Sequence, residues 1–330
     1  MFDHETSRRT ALKIVGGTSL AALSSRFGHA QAALQPIQMG IQIFTGAVAT
    51  VWVNNKIPEK RGLSVEGKQM ADGRSVRDAM ISGQLNAGTM NITPFIVGAG
   101  AASLTMVGVV SLGGDTVGVM AKKGAGINSI ADLKGKKISV STGSTTANIF
   151  IQTVAPAAGL KPGDYQLINM RPPDQVAALA AGSVDAITSF EPYLTVAEKE
   201  GIGTMLMRFG QIDPNPTCLV LSPTLIEKSP ETVQAFMKSW LEGVDFWKNN
   251  PSRVAEVLHE QYNAAGYSNV TREMAESIVK QIKVEPELTP AIADHIKAEA
   301  ERMKAANLIK QLPDWPKVMR PDLLQKARSA

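Results

Sequence analysis

Residues 142–146, Thr-Gly-Ser-Thr-Thr, carry the most directly readable chemistry in the chain. They follow a short apolar run at 138–141 and precede a segment of helical character. A helix beginning here leaves its first N–H groups without intrahelical acceptors and places the positive end of its dipole at the loop. That is a ready anion site. Gly143 lets the backbone approach a ligand closely, and the hydroxyls of Thr142, Ser144, Thr145 and Thr146 add donors. Ser144 also suits ordinary N-capping, and the two roles are compatible.

Three further loops have the same strand-to-helix character. Gln42, Phe44, Thr45 and Gly46 close the first apolar run, with Phe44 assigned to the core before any ligand. Asn91-Ile92-Thr93 precedes a helix with Pro94 at its start, and Thr93 fits a cap and a ligand donor equally. Glu191 sits just ahead of Pro192. A carboxylate there would repel a plain anion and pair with an amine or ring N–H; the alternative is a solvated glutamate or one settled by a helix dipole. Asp115 follows Gly113-Gly114, where a chain turn is the first reading and a cleft position the second. Tyr193 is read as packing. No lysine or arginine occurs in these loops, so anion capture would rest on N–H groups and hydroxyls.

The elements that must position these loops alternate. Strands are predicted at 37–44, 63–70, 85–90 and 104–110, and helices at 47–60, 75–82 and 93–102. A second set follows: a helix capped by Ser129 with Asp132 completing a capping box, a strand at 138–141, and a helix at 145–159 kinked or ended early by Pro156. Segments 167–170, 173–181, 185–189 and 192–200 continue the alternation. The pattern predicts parallel sheet with helices on both faces. From 223 onward the chain reads as helical, with Ser229-Pro230, Asn250-Pro251 and Thr289-Pro290 as N-cap plus first-turn proline signals. The segment 120–219 is therefore an insertion, and runs 117–121 and 217–222 are the expected hinge strands. The expected layout is a leader at 1–32, a first lobe from 33–119 and 220–330, and a second lobe from 120–219. Ligands bind at strand C-terminal ends facing such a cleft.

Composition agrees with a soluble globular class: of 330 residues, 44% are hydrophobic and 19% charged. The formal net charge is +4, of which residues 1–32 supply +2, and no long basic run argues for nucleic acid. Cys218 is the single cysteine, which excludes an intrachain disulfide and a CxxC site. Of the four histidines, His4 and His29 lie in the leader, while His259 and His295 fall in separate helices, so no metal and no cofactor is expected.

The N-terminus carries Arg8-Arg9, a weakly apolar run at 14–23 and Ala30-Gln31-Ala32. These are the n-region, h-region and cleavage pattern of a signal peptide, too short to span a bilayer. The arginine pair is similar to a twin-arginine signal but has Ala11 where phenylalanine is usual. No cysteine marks a lipid attachment point. A receptor freed into the medium would be lost from a single-membrane cell, so the periplasm is the expected location.

Taken in order, Gly40-Ile41-Gln42, the 83–88 run GQLNAG, the 129–137 run SIADLKGKK, Gly143-Ser144, the 182–186 run GSVDA and Glu191-Pro192-Tyr193 resemble the solute-binding proteins of the sulfonate, taurine and nitrate group. The resemblance implies the α/β periplasmic binding protein type II fold, with two α/β lobes joined by two hinge strands around a ligand cleft. It also implies a monomer that passes a small anion, or a heteroaromatic thiamine-pyrimidine precursor, to an ABC importer permease. Some enzymes share that fold. The thiamine pyrimidine synthase type depends on a cysteine-rich motif and a histidine donor that this chain lacks, and the sulfinate desulfinases use a first-lobe cysteine, whereas Cys218 falls in an expected hinge strand. No catalytic residue is expected. An alkyl or aryl sulfonate suits the 142–146 loop, taurine suits that loop together with Glu191, an aminopyrimidine suits Glu191 alone, and nitrate ranks lower without a cation.

Overall fold

The computed structural model describes residues 34–101, 104–267 and 269–329. The expected leader lies outside them. Among the described residues, ten strands form two five-stranded sheets. The first contains β1 (Ile37–Gln42), β2 (Val65–Met70), β3 (Ala87–Asn91), β4 (Thr105–Leu112) and β10 (Pro216–Leu221), in the order β2-β1-β3-β10-β4. The second contains β5 (Val117–Lys122), β6 (Lys137–Val140), β7 (Gln166–Asn169), β8 (Ala186–Phe190) and β9 (Gly203–Arg208), in the order β7-β6-β8-β5-β9.

Neither sheet is purely parallel. Within each, three strands pair in parallel, while β10 runs antiparallel to β3 and β4, and β5 antiparallel to β8 and β9. Strand–helix alternation reports spacing, and a helical return makes neighbours parallel. β5 and β10 each enter straight from the other sheet, without such a helix, and so run the opposite way. Both strands expected as hinges are thus full sheet members. The chain passes between the sheets in the short segments beside them, 113–116 and 209–215.

Burial on both faces explains the apolar strands. In β10, Leu219 and Leu221 pack into one core with Ile37, Met39 and Trp52, while Cys218 and Val220 pack into another with Phe95, Met106 and Ile296. This is the period-2 alternation of a strand covered on both sides. The second sheet is covered likewise, with Val117, Val119 and Ala121 on one face and Met120 on the other.

Helices that start at the cleft include α1 (Ala47–Asn54), α2 (Gly73–Ile81), α3 (Ile92–Gly100) and α4 (Thr145–Ile149). The helix predicted over 47–60 stops at Asn54, and Pro58 opens a separate 3-10 turn. The Ser129 segment makes only a 3-10 turn, Ala131–Leu133, although Asp132 does accept from Ser129 N–H (2.9 Å) and Asn128 N–H (3.0 Å). Helix α4 runs into a π turn, Phe150–Val154, ahead of Pro156. A proline lacks its N–H and crowds the preceding turn, which is one way such widening arises. Of the three Pro-marked helix starts, Thr289 caps through Ile292 N–H (3.3 Å). Ser229 instead donates to Gln35 (2.5 Å) and Asn250 to the Phe246 carbonyl (3.0 Å).

Candidate functional site

The C-terminal ends of the parallel strands of both sheets meet at one cavity. It is lined from the first sheet by residues at or just past the ends of β1 (Gln42, Phe44, Thr45), β2 (Asp72, Gly73, Arg74) and β3 (Asn91, Pro94). The second sheet contributes residues at or past the ends of β6 (Ser141, Gly143, Ser144, Thr145, Thr146), β7 (Pro172) and β8 (Phe190), and Asn215 from the crossing segment joins them. The empty space between these residues is about 590 Å³, part of it open to solvent.

The 142–146 loop has the expected geometry. Gly143 has φ +79°, the left-handed region that glycine enters freely. Ser144 Oγ accepts from Ala147 N–H at 3.2 Å and so caps α4. Among the described residues, the N–H groups of Thr145 and Thr146 have no acceptor. Thr145 Oγ1 accepts instead from Thr93 N–H of the opposite side (3.2 Å), and Thr93 Oγ1 accepts from Asn148 (3.3 Å). The starts of α3 and α4 therefore touch across the cleft.

Seven of the residues singled out from sequence line this cavity: Gln42, Thr45, Asn91, Gly143, Ser144, Thr145 and Thr146. Gln42 Oε1 and Thr45 Oγ1 are buried there without hydrogen-bond partners among the described residues, and Asn91 donates to Asn215 Oδ1 at 3.0 Å. The others stand elsewhere. Gly46 supports the turn: a Cβ on it would lie 2.6 Å from the Gln42 carbonyl oxygen and 2.7 Å from Thr89 Oγ1. Ile92 is fully buried core, and Thr93 lies behind the lining. Thr142 donates to Asn169 Oδ1 (3.0 Å) and offers its carbonyl to Arg74. Asp115 is half-exposed on a 3-10 turn, 3.8 Å from Lys283 Nζ.

Glu191 departs furthest from expectation. It is 2% exposed and lines a smaller neighbouring cavity with Thr45, Ser111 and Thr217. Its Oε1 lies 2.7 Å from Arg208 Nη2, and its Oε2 accepts from Thr195 N–H at 3.0 Å. Arg208 also donates to the Asp115 carbonyl (2.7 Å). A buried carboxylate needs its charge and lone pairs met; Arg208 of β9 meets the charge, Thr195 N–H meets Oε2, and Oε1 has no hydrogen-bond partner among the described residues. Of the two readings of Glu191, the Thr195 N–H in the first turn of helix Tyr193–Lys199 agrees with a glutamate settled by a helix start, and the charge that an amine would have met is met by the chain's own guanidinium.

Phe44 is the centre of an aromatic group that joins the two sides. Its ring centroid lies 4.9 Å from Tyr267, 5.1 Å from Tyr262, 5.5 Å from Tyr193 and 5.8 Å from Phe190. Tyr193 donates its hydroxyl to Tyr267 at 2.8 Å. Burial, then that bond, pushes the Tyr193 phenol far above its usual range. Packing is therefore the role of both Phe44 and Tyr193.

Sequence reading missed Arg74, Asn215 and Arg208. Arg74 was findable: residues 71–74 join a predicted strand to a predicted helix, the rule that selected 42–46 and 91–93. Asn215 and Arg208 arrive through the crossing segment and an antiparallel strand, which local pattern does not place.

Residues 59–254 match the NMT1/THI5-like family model, more than half of the chain. The chain belongs to the NMT1/THI5-like family. It is 27% identical over 250 residues to the taurine-binding periplasmic protein of Escherichia coli K12, covering 73% of this chain and 77% of the relative. The fold is similar to that of the periplasmic aliphatic sulphonate binding protein SsuA from Escherichia coli (TM-score 0.75, 19% identity, covering 86% and 91%). It is also similar to that of the desulfurization enzyme DSZB (TM-score 0.68, 14% identity, covering 89% and 99%). The family fold thus spans binding proteins and an enzyme.

Proposed function

We propose that the protein is a periplasmic solute-binding receptor of an ABC importer. It captures a small organic anion, an alkyl or aryl sulfonate or taurine, and delivers it to a membrane permease. The observation that carries this reading is the convergence of α1, α2, α3 and α4 N-terminal ends on one cavity, with Thr145 and Thr146 N–H groups unengaged. Dipoles and N–H groups so arranged favour a tetrahedral oxyanion over a cation or a neutral body. The likeness to taurine- and sulphonate-binding proteins supports the same class. Export by the 1–32 leader, a periplasmic location without lipid anchor, and a monomeric state belong to the proposal.

The binding role, rather than catalysis, rests on what the cavity offers. Cys218 is fully buried in β10, and burial pushes its thiol well up, away from a reactive thiolate. Glu191 is held by Arg208 and Thr195, so it is no free base. A thermal-shift screen of the purified protein against sulfonates, taurine, carboxylates, nitrate and thiamine pyrimidines tests the reading. Ligand at a hundredfold over Kd adds about 2.7 kcal/mol. A rise confined to sulfonates and taurine supports it; a rise only with pyrimidines or nitrate replaces the ligand class; turnover of a bound sulfinate would replace the role.

A further inference from the structure

We infer that Arg74 is the cross-cleft clasp and the charge reader of this cavity: one guanidinium ties the two sides together at the mouth and turns its remaining donors toward the ligand's oxyanion. The inference rests on the receptor reading above and adds a residue that decides how long, and which, ligands are held.

Arg74 sits in the first turn of α2, beside the first sheet. Its Nη1 donates to the Thr142 carbonyl at 2.6 Å, on the loop that follows β6 of the second sheet. Its Nη2 donates to Asp72 Oδ2 at 2.9 Å. Asp72 is fixed in turn, because its Oδ1 caps α2 by accepting from Ser75 N–H (2.9 Å) and Ser75 Oγ (3.0 Å). The guanidinium is therefore aimed from one side and anchored on the other. A planar fork has more donors than these two bonds consume. It is the one cationic side chain among the residues lining the cavity. It also lies beside Gly143: a Cβ there would be in ordinary contact with Arg74 Cδ, at 3.7 Å.

The position explains a division of labour. Other bonds between the two sides include Thr93 to Thr145 and Asn148 to Thr93, which join neutral, buried groups, the part-buried Tyr193 to Tyr267, and the exposed Asn269 to Glu200 at 3.5 Å. Arg74, 37% exposed, is charged and stands at the mouth. A charged contact at the mouth must break before ligand leaves, so it controls dissociation. Its guanidinium also distinguishes anions from neutral isosteres of the same shape. Lysine keeps the charge but cannot hold Asp72, Thr142 and a ligand in one plane.

The test compares wild type with Arg74→Gln and Arg74→Lys, using taurine, butanesulfonate and benzenesulfonate as probes in stopped-flow binding. The expected result is a dissociation rate raised at least tenfold in Arg74→Gln, an association rate within about threefold, and intermediate dissociation for Arg74→Lys. Ligand-free Arg74→Gln is also expected to show a larger radius of gyration by X-ray scattering. If wild type binds and Arg74→Gln dissociates at the wild-type rate, the inference is overturned while the receptor reading stands. If wild type binds none of the probes, the sulfonate reading falls. Scattering then judges the clasp alone: equal radii for wild type and Arg74→Gln overturn it. Arg74→Lys, which keeps charge and helix propensity, separates a folding defect from a lost clasp.

Discussion

The loop after β1 and the loop after β6 occupy matching places in two sheets of the same strand order, yet they are built for opposite purposes. The first, residues 43–46, carries Phe44 and Gly46 and turns inward to pack: four aromatic rings surround Phe44, and Gly46 has no room for a side chain. The second, residues 141–144, has an open-sided Gly143 at positive φ and a polar edge leading to Thr145 and Thr146. Phe44 of the first packs the two sides together while Thr45 also lines the cavity; the second turns its polar edge to that cavity and is the loop proposed to meet the ligand. Topological equivalence therefore fixes where a loop stands, and side-chain volume and polarity fix what it does there.

The sharpest way to break this contrast is Phe44→Ala. Removing a buried ring at the centre of the aromatic group is expected to cost about 3–5 kcal/mol, read from urea unfolding. A loss below ~1 kcal/mol would show that the β1 loop is not the structural one. Next in size is Gly46→Ala, where a methyl meets the Gln42 carbonyl at 2.6 Å. About 1–3 kcal/mol of stability should go, with taurine or sulfonate affinity kept in the protein that remains folded. Gly143→Val is the mirror test. A β-branched residue at φ +79° is strained, but stability should fall by only ~1 kcal/mol while affinity drops about tenfold, a matter of ~1.4 kcal/mol. Unchanged titration by calorimetry would remove the 142–146 loop from the site.

The smallest expected effect is on pH. Burial raises the Asp72 carboxyl, but the Ser75 N–H and Arg74 outweigh it and hold it below its ordinary value of 3.8. A group lowered in the folded state contributes its stability above the unfolded pKa and loses it as pH falls through the folded one. The α2 cap and its hold on Arg74 should thus persist through mild acid and weaken only below the usual carboxylate range. Asp72→Asn should flatten that part of the acid-unfolding curve; an identical curve would mean that Asp72 is not so held.

Much of the fold was legible because apolar runs and helix starts are local. The strands at 37–42, 65–70 and 186–190, the Ser144 cap and the left-handed Gly143 follow from residue type and spacing. The site was legible where one strand runs directly into one helix, as at 42–45, 91 and 143–146. It was not legible at Glu191. Its partner, Arg208, lies on an antiparallel strand reached after a separate helix, and nothing in the 191–193 sequence reveals that the charge is already met.

By itself the sequence determined which loops end at helix N-termini and which of them carry hydroxyls and glycine, since capping and backbone freedom depend on neighbours in the chain. Only the tertiary structure decided which loops share a cavity, where the cation comes from and which side chains are spent internally. Strand direction at β5 and β10, and the reach of Arg74 and Arg208, depend on contacts between distant segments, and local pattern holds no information about those.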